Sequence, residues 1–361
     1  MKTTNIKSKN ERNSKEPFVS VCLVYYNQRK WLDNVIKTIK STDYDNYKIV
    51  FVDNSRDGSV PYVKKNYPEV IALEKENLGF AGGHNLAVKQ KKADYYMIHD
   101  MDIEHIDPLW LKKMIDFLEN NPKAGMASGV IVPMHLRSKL DVNKIKQILP
   151  EPIKVHMVSG SFILVKNELY EKIGLFDDEY FIYWEETDFM YRALLYGYDV
   201  WWFNIPYLHY SGSSTLLREQ TVTNLLNYNK SAWTDDKGNL KARGFYYYYR
   251  NEIMFYLINF GKWRLTKSML KLFFRTGYHL TLMFHPRKIQ AMYDSWKYII
   301  KNFNTIMKKR KITQSNRVVK DSEIVKLHKL KDKFTSDLNS YYKQLEEEVM
   351  KEEKVERPFY H

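Results

Sequence analysis

Asp100-Met101-Asp102 follows directly on the apolar run Tyr95–Ile98. Where a chain leaves a strand in extended form, side chains at i and i+2 project the same way. Two carboxylates can therefore meet one hard cation, Mg2+ or Mn2+. Such a cation neutralises a diphosphate and helps it leave. The competing reading is a solvated acidic turn. The segment Phe176–Arg192 sets Glu185, Glu186 and Asp188 beside Tyr183 and Trp184. Carboxylates walled by aromatics suit general-base work, because apolar surroundings raise a carboxyl pKa, and an aromatic face suits a sugar ring. Asp188 or Glu185 could instead cap a helix beginning near Thr187. His209, in the segment Tyr207–Gly212, could be a third metal ligand through a neutral imidazole.

Two further segments could bind a ligand. In Asn77-Leu78-Gly79-Phe80-Ala81-Gly82-Gly83-His84-Asn85, three glycines precede a helix-like run. They allow close backbone approach to a ligand, and amides at a helix start suit phosphate. No Gly-Lys-Ser/Thr follows, so this is not a Walker loop, and a tight structural turn is the alternative. Asp53, with Asn54, Asp57 and Gly58, follows a second strand-like run. Its carboxylate can accept hydrogen bonds from a ribose or pyrimidine, or can close an Asx turn.

The elements that must hold these residues alternate between strand and helix. Phe18–Tyr25 reads as a buried parallel strand, and Trp31, Val35, Ile36 and Ile39 follow at helical spacing. Strands are expected at Tyr47–Val52, Val70–Leu73 and Tyr95–His99. Helices are expected at Asn85–Lys91 and Pro108–Leu118. Such alternation predicts an α/β sheet that binds ligands at the carboxyl ends of its strands. Val155–Val165 alternates around Gly160, and residues 214–244 are polar and loop-like. From Gly244 the chain turns helical. One apolar stripe runs from Ile289 to Ile306 and another, suited to helix pairing, from Leu327 to Leu345.

The net charge of +14 is localised. Residues 261–320 hold fifteen Lys or Arg and one acid, whereas the rest of the chain is balanced. This predicts a neutral domain with a basic attachment for an anionic surface. Aromatic and basic residues interleave there as in some nucleic-acid binders, but no nucleic-acid motif accompanies them, and nucleic acid is not expected as a partner. Met269–Phe284 is strongly apolar yet too short to span comfortably. With Lys308-Lys309-Arg310-Lys311 it suggests a helix in the interface of an anionic membrane. The stripe Leu327–Leu345 suggests an oligomer contact. The single cysteine, Cys22, sits in an apolar run and reads as a buried thiol in a reducing compartment. No secretory signal is visible, and Met1–Glu16 reads as a flexible leader.

Together these pieces resemble glycosyltransferase family 2, which has the GT-A fold. The likeness covers about residues 17–260. It rests on Val24–Asn27, Asp53–Ser59, Asn77–Asn85, Asp100–Asp102, Gly160–Phe162, Gly174–Asp177, Trp184–Asp188, His209–Gly212 and Tyr249–Asn251. The resemblance implies a GT-A, Rossmann-like nucleotide-diphospho-sugar transferase domain at 17–260, after a leader at 1–16. A basic amphipathic helical region at 261–361 would follow. It implies that Asp53 contacts the nucleotide base near Tyr26, and that Asn77, Gly79 and Gly82 help bind the donor. Asp100 and Asp102 would hold the metal and diphosphate, with His209 completing the metal site, and Tyr183 and Trp184 would meet the acceptor. The family's base is usually the second acid of a Glu-Asp or Asp-Asp pair. Here Glu186 stands at that position, with Glu185 and Asp188 as alternatives. Transfer would invert the anomeric centre.

Within the family the chain is most similar to bacterial rhamnosyltransferases and galactofuranosyltransferases of surface polysaccharides. The donor would be dTDP-rhamnose or a UDP-sugar such as UDP-galactofuranose. The acceptor would be a growing glycan or lipid-linked glycan at the cytoplasmic face of the membrane. An inactive scaffold homologue is the rival within this fold, but competent residues occupy each expected position.

Overall fold

The computed structural model describes residues 16–210, 242–281 and 285–353. Most of the expected leader, Ser211 and Gly212, most of the polar loop at 214–244, and Leu282–Phe284 lie outside the described residues.

The strands are β1 (Val19–Tyr25), β2 (Tyr47–Asp53), β3 (Ile71–Glu74), β4 (Tyr95–His99), β5 (Ile103–His105), β6 (Ala124–Pro133), β7 (Ile153–Val155), β8 (Phe162–Lys166) and β9 (Asp199–His209). Among them run α1 (Leu32–Lys40), α2 (Ser59–Asn66), α3 (Gly79–Gln90), α4 (Trp110–Asn120), α5 (Val142–Ile148), α6 (Asn167–Ile173) and α7 (Glu185–Leu195). After them come α8 (Ala242–Asn259), α9 (Lys262–Thr281), α10 (Pro286–Lys301), α11 (Phe303–Ser315) and α12 (Asp321–Glu353).

The sheet order is β3-β2-β1-β4-β8-β6-β9-β5, with β7 also on β9. The half from β3 to β4 is parallel, and its strands are apolar runs because helices cover both faces. β8 then enters antiparallel to both β4 and β6. The expected α/β architecture with a helical C-terminal extension is the one observed, its sheet being mixed rather than wholly parallel. Cys22 lies inside β1 with its thiol pushed up to about 12 by burial, so it is inert packing.

Three local expectations change. The glycines of Asn77–Asn85 do not precede a helix; they are its first turns, since α3 begins at Gly79. Gly79 has φ +70°, and a Cβ there would collide with the Phe181 carbonyl. A Cβ on Gly83 would lie 2.7 Å from Val24, so this glycine lets the helix settle onto β1. Second, α7 begins at Glu185, not near Thr187, and no side chain caps it. Third, the stripe Leu327–Leu345 is spent in part within the chain. Leu338, Tyr341 and Leu345 are buried, and the neighbouring Tyr342 hydroxyl donates to the Ile131 carbonyl of β6 at 2.7 Å. α12 therefore packs part of that stripe against the sheet, while Leu330 on the same stripe stays 41% exposed.

Candidate active site

The Asp-X-Asp pair sits where β4 ends. The Asp100 amide donates to the Ser161 carbonyl at 2.8 Å, which fixes the turn against the approach to β8. β5 then pairs antiparallel with β9, placing Ile103 opposite His209, and the Tyr210 amide donates to the Asp102 carbonyl at 2.9 Å. This register delivers His209 to the aspartates, with its Nε2 3.5 Å from Asp102 Oδ1. Ligand atoms of Asp100, Asp102 and His209 all lie within 4.8 Å of one another. Two carboxylates and an imidazole form a donor set that fits Mg2+ or Mn2+. The electrostatics agree: burial, then Asp102, then Glu186 push the Asp100 carboxyl up to about 8. Such a concentration of acids calls for positive charge. His209 is held below its usual range by burial, which keeps the imidazole a neutral ligand.

Behind this turn lies a pair of histidines that sequence reasoning passed over. His99 Nδ1 is 2.7 Å from the Asp100 carbonyl, and His99 Nε2 is 2.8 Å from His105 Nε2. The carbonyl can only accept, so Nδ1 of His99 donates, and its Nε2 accepts from His105. Burial lowers His99 to about 4 and His105 also falls, which keeps both neutral. No spacing rule would have found this pair; the return of the chain through β5 creates it.

The second group of acids opens α7. The chain reaches it through a contorted turn in which Phe181, Tyr183 and Trp184 all have positive φ, 63°, 70° and 74°. Each is a cost for a non-glycine residue, tolerated only where surroundings over-determine the backbone. Here the surroundings are Arg250 and Asn251 of α8. Asn251 Nδ2 donates to the carbonyls of Tyr180, Ile182 and Tyr183 at 2.8, 2.9 and 2.7 Å. Arg250 donates to the carbonyls of Glu179 and Tyr180. On the other side the Phe80 amide donates to the Phe181 carbonyl, and Asn85 holds the Phe176 backbone by both its donor and its acceptor. Arg250 and Asn251 clamp this turn and Asn85 anchors the segment leading into it, while the Tyr249 hydroxyl meets Thr276.

The three acids left open by the sequence separate clearly. Asp188 is buried and committed: it accepts from Arg192 Nε and Asn259 Nδ2, both at 2.7 Å, and from the Tyr180 hydroxyl at 3.3 Å. Arg192 in turn holds the carbonyls of Ile173 and Leu175. Glu185 is also buried, and burial and then Glu186 push its carboxyl well above the usual range. Glu186 is the less enclosed of the pair and interacts electrostatically with Asp100 across the site. A Cβ on Gly160 would lie 2.9 Å from Glu186 Cγ, so that glycine makes room for it. Tyr183 and Trp184 are half-buried, and Trp184 packs on Tyr248 and Phe255.

At the end of β2, Asp53 makes the Asx turn that was one of its two readings. Its Oδ1 closes an Asx turn with the Ser55 amide and hydroxyl, both at 2.7 Å, while its buried Oδ2 has no hydrogen-bond partner. Tyr26, just past β1, is exposed. Asn77 Oδ1 accepts from the Gly79 amide at 2.9 Å. Because protein groups take up the amides of Gly79 and Phe80, the start of α3 does not present those two donors to a phosphate.

Residues 20–174 match the model of glycosyl transferase family 2. An uncharacterized glycosyltransferase of Haemophilus influenzae is 28% identical over 113 residues, covering 29% of this chain and 34% of that protein. Another, of Bacillus subtilis, is 28% identical over 188 residues, covering 48% of this chain and 67% of that protein. The chain thus spans about a third of the first relative's length and two thirds of the second's. Among solved structures, a mannosyltransferase from Pyrobaculum calidifontis in complex with GDP-Man and Mn2+ aligns with a TM-score of 0.46. That alignment is 16% identical and covers 84% of this chain and 86% of that one.

Proposed function

With a family 2 glycosyltransferase domain over residues 20–174 as premise, we propose that the chain transfers a sugar from a nucleotide diphosphate donor to a hydroxyl of a glycan, with inversion. The observation that carries this reading is the convergence of Asp100, Asp102 and His209 within 4.8 Å, with Glu186 close enough to raise the Asp100 carboxyl. Asp100, Asp102 and His209 would hold Mg2+ or Mn2+, which when bound supplies the positive charge that offsets the donor diphosphate. Asp53 would receive the nucleotide base through Oδ2, beside the exposed ring of Tyr26, with Asn77, Gly79 and Gly82 flanking the donor. Tyr183 and Trp184 would wall the acceptor.

Glu186 takes the proton of the acceptor hydroxyl as its oxygen bonds to the anomeric carbon, and the bond from that carbon to the diphosphate oxygen breaks. Asp188 acts instead as a brace, its carboxylate held by Arg192. Catalysis is assigned to residues 17–260 and surface attachment to 261–361. The resemblance to rhamnosyl- and galactofuranosyltransferases favours dTDP-rhamnose or a UDP-sugar as donor, and a cell-surface or lipid-linked glycan as acceptor.

Purified protein incubated with a panel of nucleotide sugars and Mn2+ should release nucleotide diphosphate from one of them, and EDTA should stop it. Glu186→Gln should lower turnover by about 10²–10⁴-fold while donor binding survives. Full turnover by Glu186→Gln, or full activity in EDTA, would overturn the assignment.

A further inference from the structure

α9 carries apolar residues on two opposite faces. Leu272 is 2% exposed, packed inward, and Thr276 and Arg275 turn the same side toward α8, bonding to Tyr249 and Glu252. The far side ought to be polar in a helix covering a soluble domain. Instead Trp263, Leu270, Phe273 and Phe274 are 83%, 54%, 70% and 66% exposed. At 100° per residue, Trp263, Leu270 and Phe274 fall within about 40° of one another, and Phe273 widens the strip. Exposed Lys267 and Lys271 run along one edge and exposed Lys262 along the other. At the foot of the strip, Met269, Leu270 and Phe273 border a groove of about 630 Å³ closed by Trp296 of α10.

We propose that this outward face of α9 docks on an anionic lipid bilayer, its aromatic strip entering the headgroup boundary and its lysines meeting the lipid charge. Charge complementarity selects this occupant. α9 contains no acid, and residues 261–320 hold fifteen Lys or Arg against one acid. A second copy of the same face would bring like charges together, whereas an anionic surface offers the opposite sign to each adjacent Lys or Arg. No helix among the described residues is long and apolar enough to cross a membrane, so the contact lies in the interface plane.

The surface differs from the one expected from sequence. Of Lys308–Lys311, Lys309 is paired with Asp177 and Glu179, and Arg310 donates to the carbonyls of Leu257 and Phe260. Half of that cluster braces the fold.

The inference goes beyond the transfer reaction and is tested apart from it. In flotation, the full chain should rise with vesicles of phosphatidylcholine and phosphatidylglycerol at low salt, and remain below with phosphatidylcholine alone. The triple variant Trp263→Ser, Leu270→Ser, Phe274→Ser should partition at least about tenfold less, with little change in melting temperature because these side chains are mostly exposed. Lys267→Gln with Lys271→Gln should weaken binding and flatten its salt dependence. Wild type that stays below with both vesicle types overturns the proposal, as does a triple variant that floats like wild type. A wild-type dimer that the triple variant turns into a monomer would assign the face to a second copy instead. Nucleotide-sugar turnover with a soluble acceptor, measured on the same samples, separates this outcome from any failure of the proposed reaction.

Discussion

Three acids within four positions, Glu185, Glu186 and Asp188, have three different surroundings, and these decide what each can do. Asp188 neutralises a buried guanidinium, and breaking a buried ion pair from one side commonly costs about 3–5 kcal/mol. Asp188→Asn should therefore lower the melting temperature by several degrees, by leaving Arg192 buried without its counter-charge. Glu186→Gln should lower turnover with little change in melting. Calorimetry and steady-state kinetics on the two variants check this crossing of effects. A stable but inactive Asp188→Asn would return that residue to the chemistry. Gly160, which carries no Cβ, offers room for the Glu186 side chain.

The turn from Phe181 to Trp184 shows what an element boundary can store. A left-handed backbone at three residues of four would not persist in an isolated peptide. One amide, Asn251 Nδ2, answers the carbonyls of Tyr180, Ile182 and Tyr183, and Arg250 shares only the first of them. Asn251→Ala should relax the turn and let the start of α7 drift from Asp100. A displacement of about 1 Å can cost about 10²-fold in rate. Turnover should fall by that order while the apparent affinity for the donor, which the proposed function places on residues away from this turn, changes little. A matched loss in donor affinity, with turnover intact, would contradict the clamp.

Across the whole molecule, buried neutral histidines link folding to pH. His84 is fully buried with neither ring nitrogen hydrogen-bonded, and burial lowers it from 6.5 to about 3. His99 falls to about 4 for the same reason, and His105 and His156 fall as well. The unfolded chain takes up these protons below about 6.5, whereas the folded chain refuses them until far lower pH. Their stabilising effect is therefore complete above about 6.5 and is lost as pH falls toward 4 and then 3. Urea midpoints should drop from pH 7 to pH 4, each such histidine contributing up to about 1.4 kcal/mol per pH unit, offset in part by the raised carboxyls of Asp100 and Glu185, which stabilise the fold as pH falls. His84→Met, which fills the site with an apolar chain, should make the profile shallower. An unchanged slope would show that His84 is not protonated on unfolding in this range.

The sequence by itself determined the parallel half of the sheet, the inert thiol of Cys22, and the position of Asp100 and Asp102 at a strand's end. These are local matters: period, strand length, turn chemistry and short spacings act between neighbours in the chain. It also showed that the excess charge lies in residues 261–320. Only the tertiary structure decided which distant partner each residue meets. The β5–β9 register carries His209 to Asp102, α8 reaches over to clamp the turn before α7, and Arg192 pairs with Asp188. The two C-terminal stripes divide the same way. Both read as amphipathic, yet α12 finds β6 and α5 to cover, whereas α9 buries one side and leaves an aromatic strip facing out. A helix's periodicity says that it has an apolar face. Which surface meets that face depends on chain closures whose cost and reward are set by the rest of the molecule.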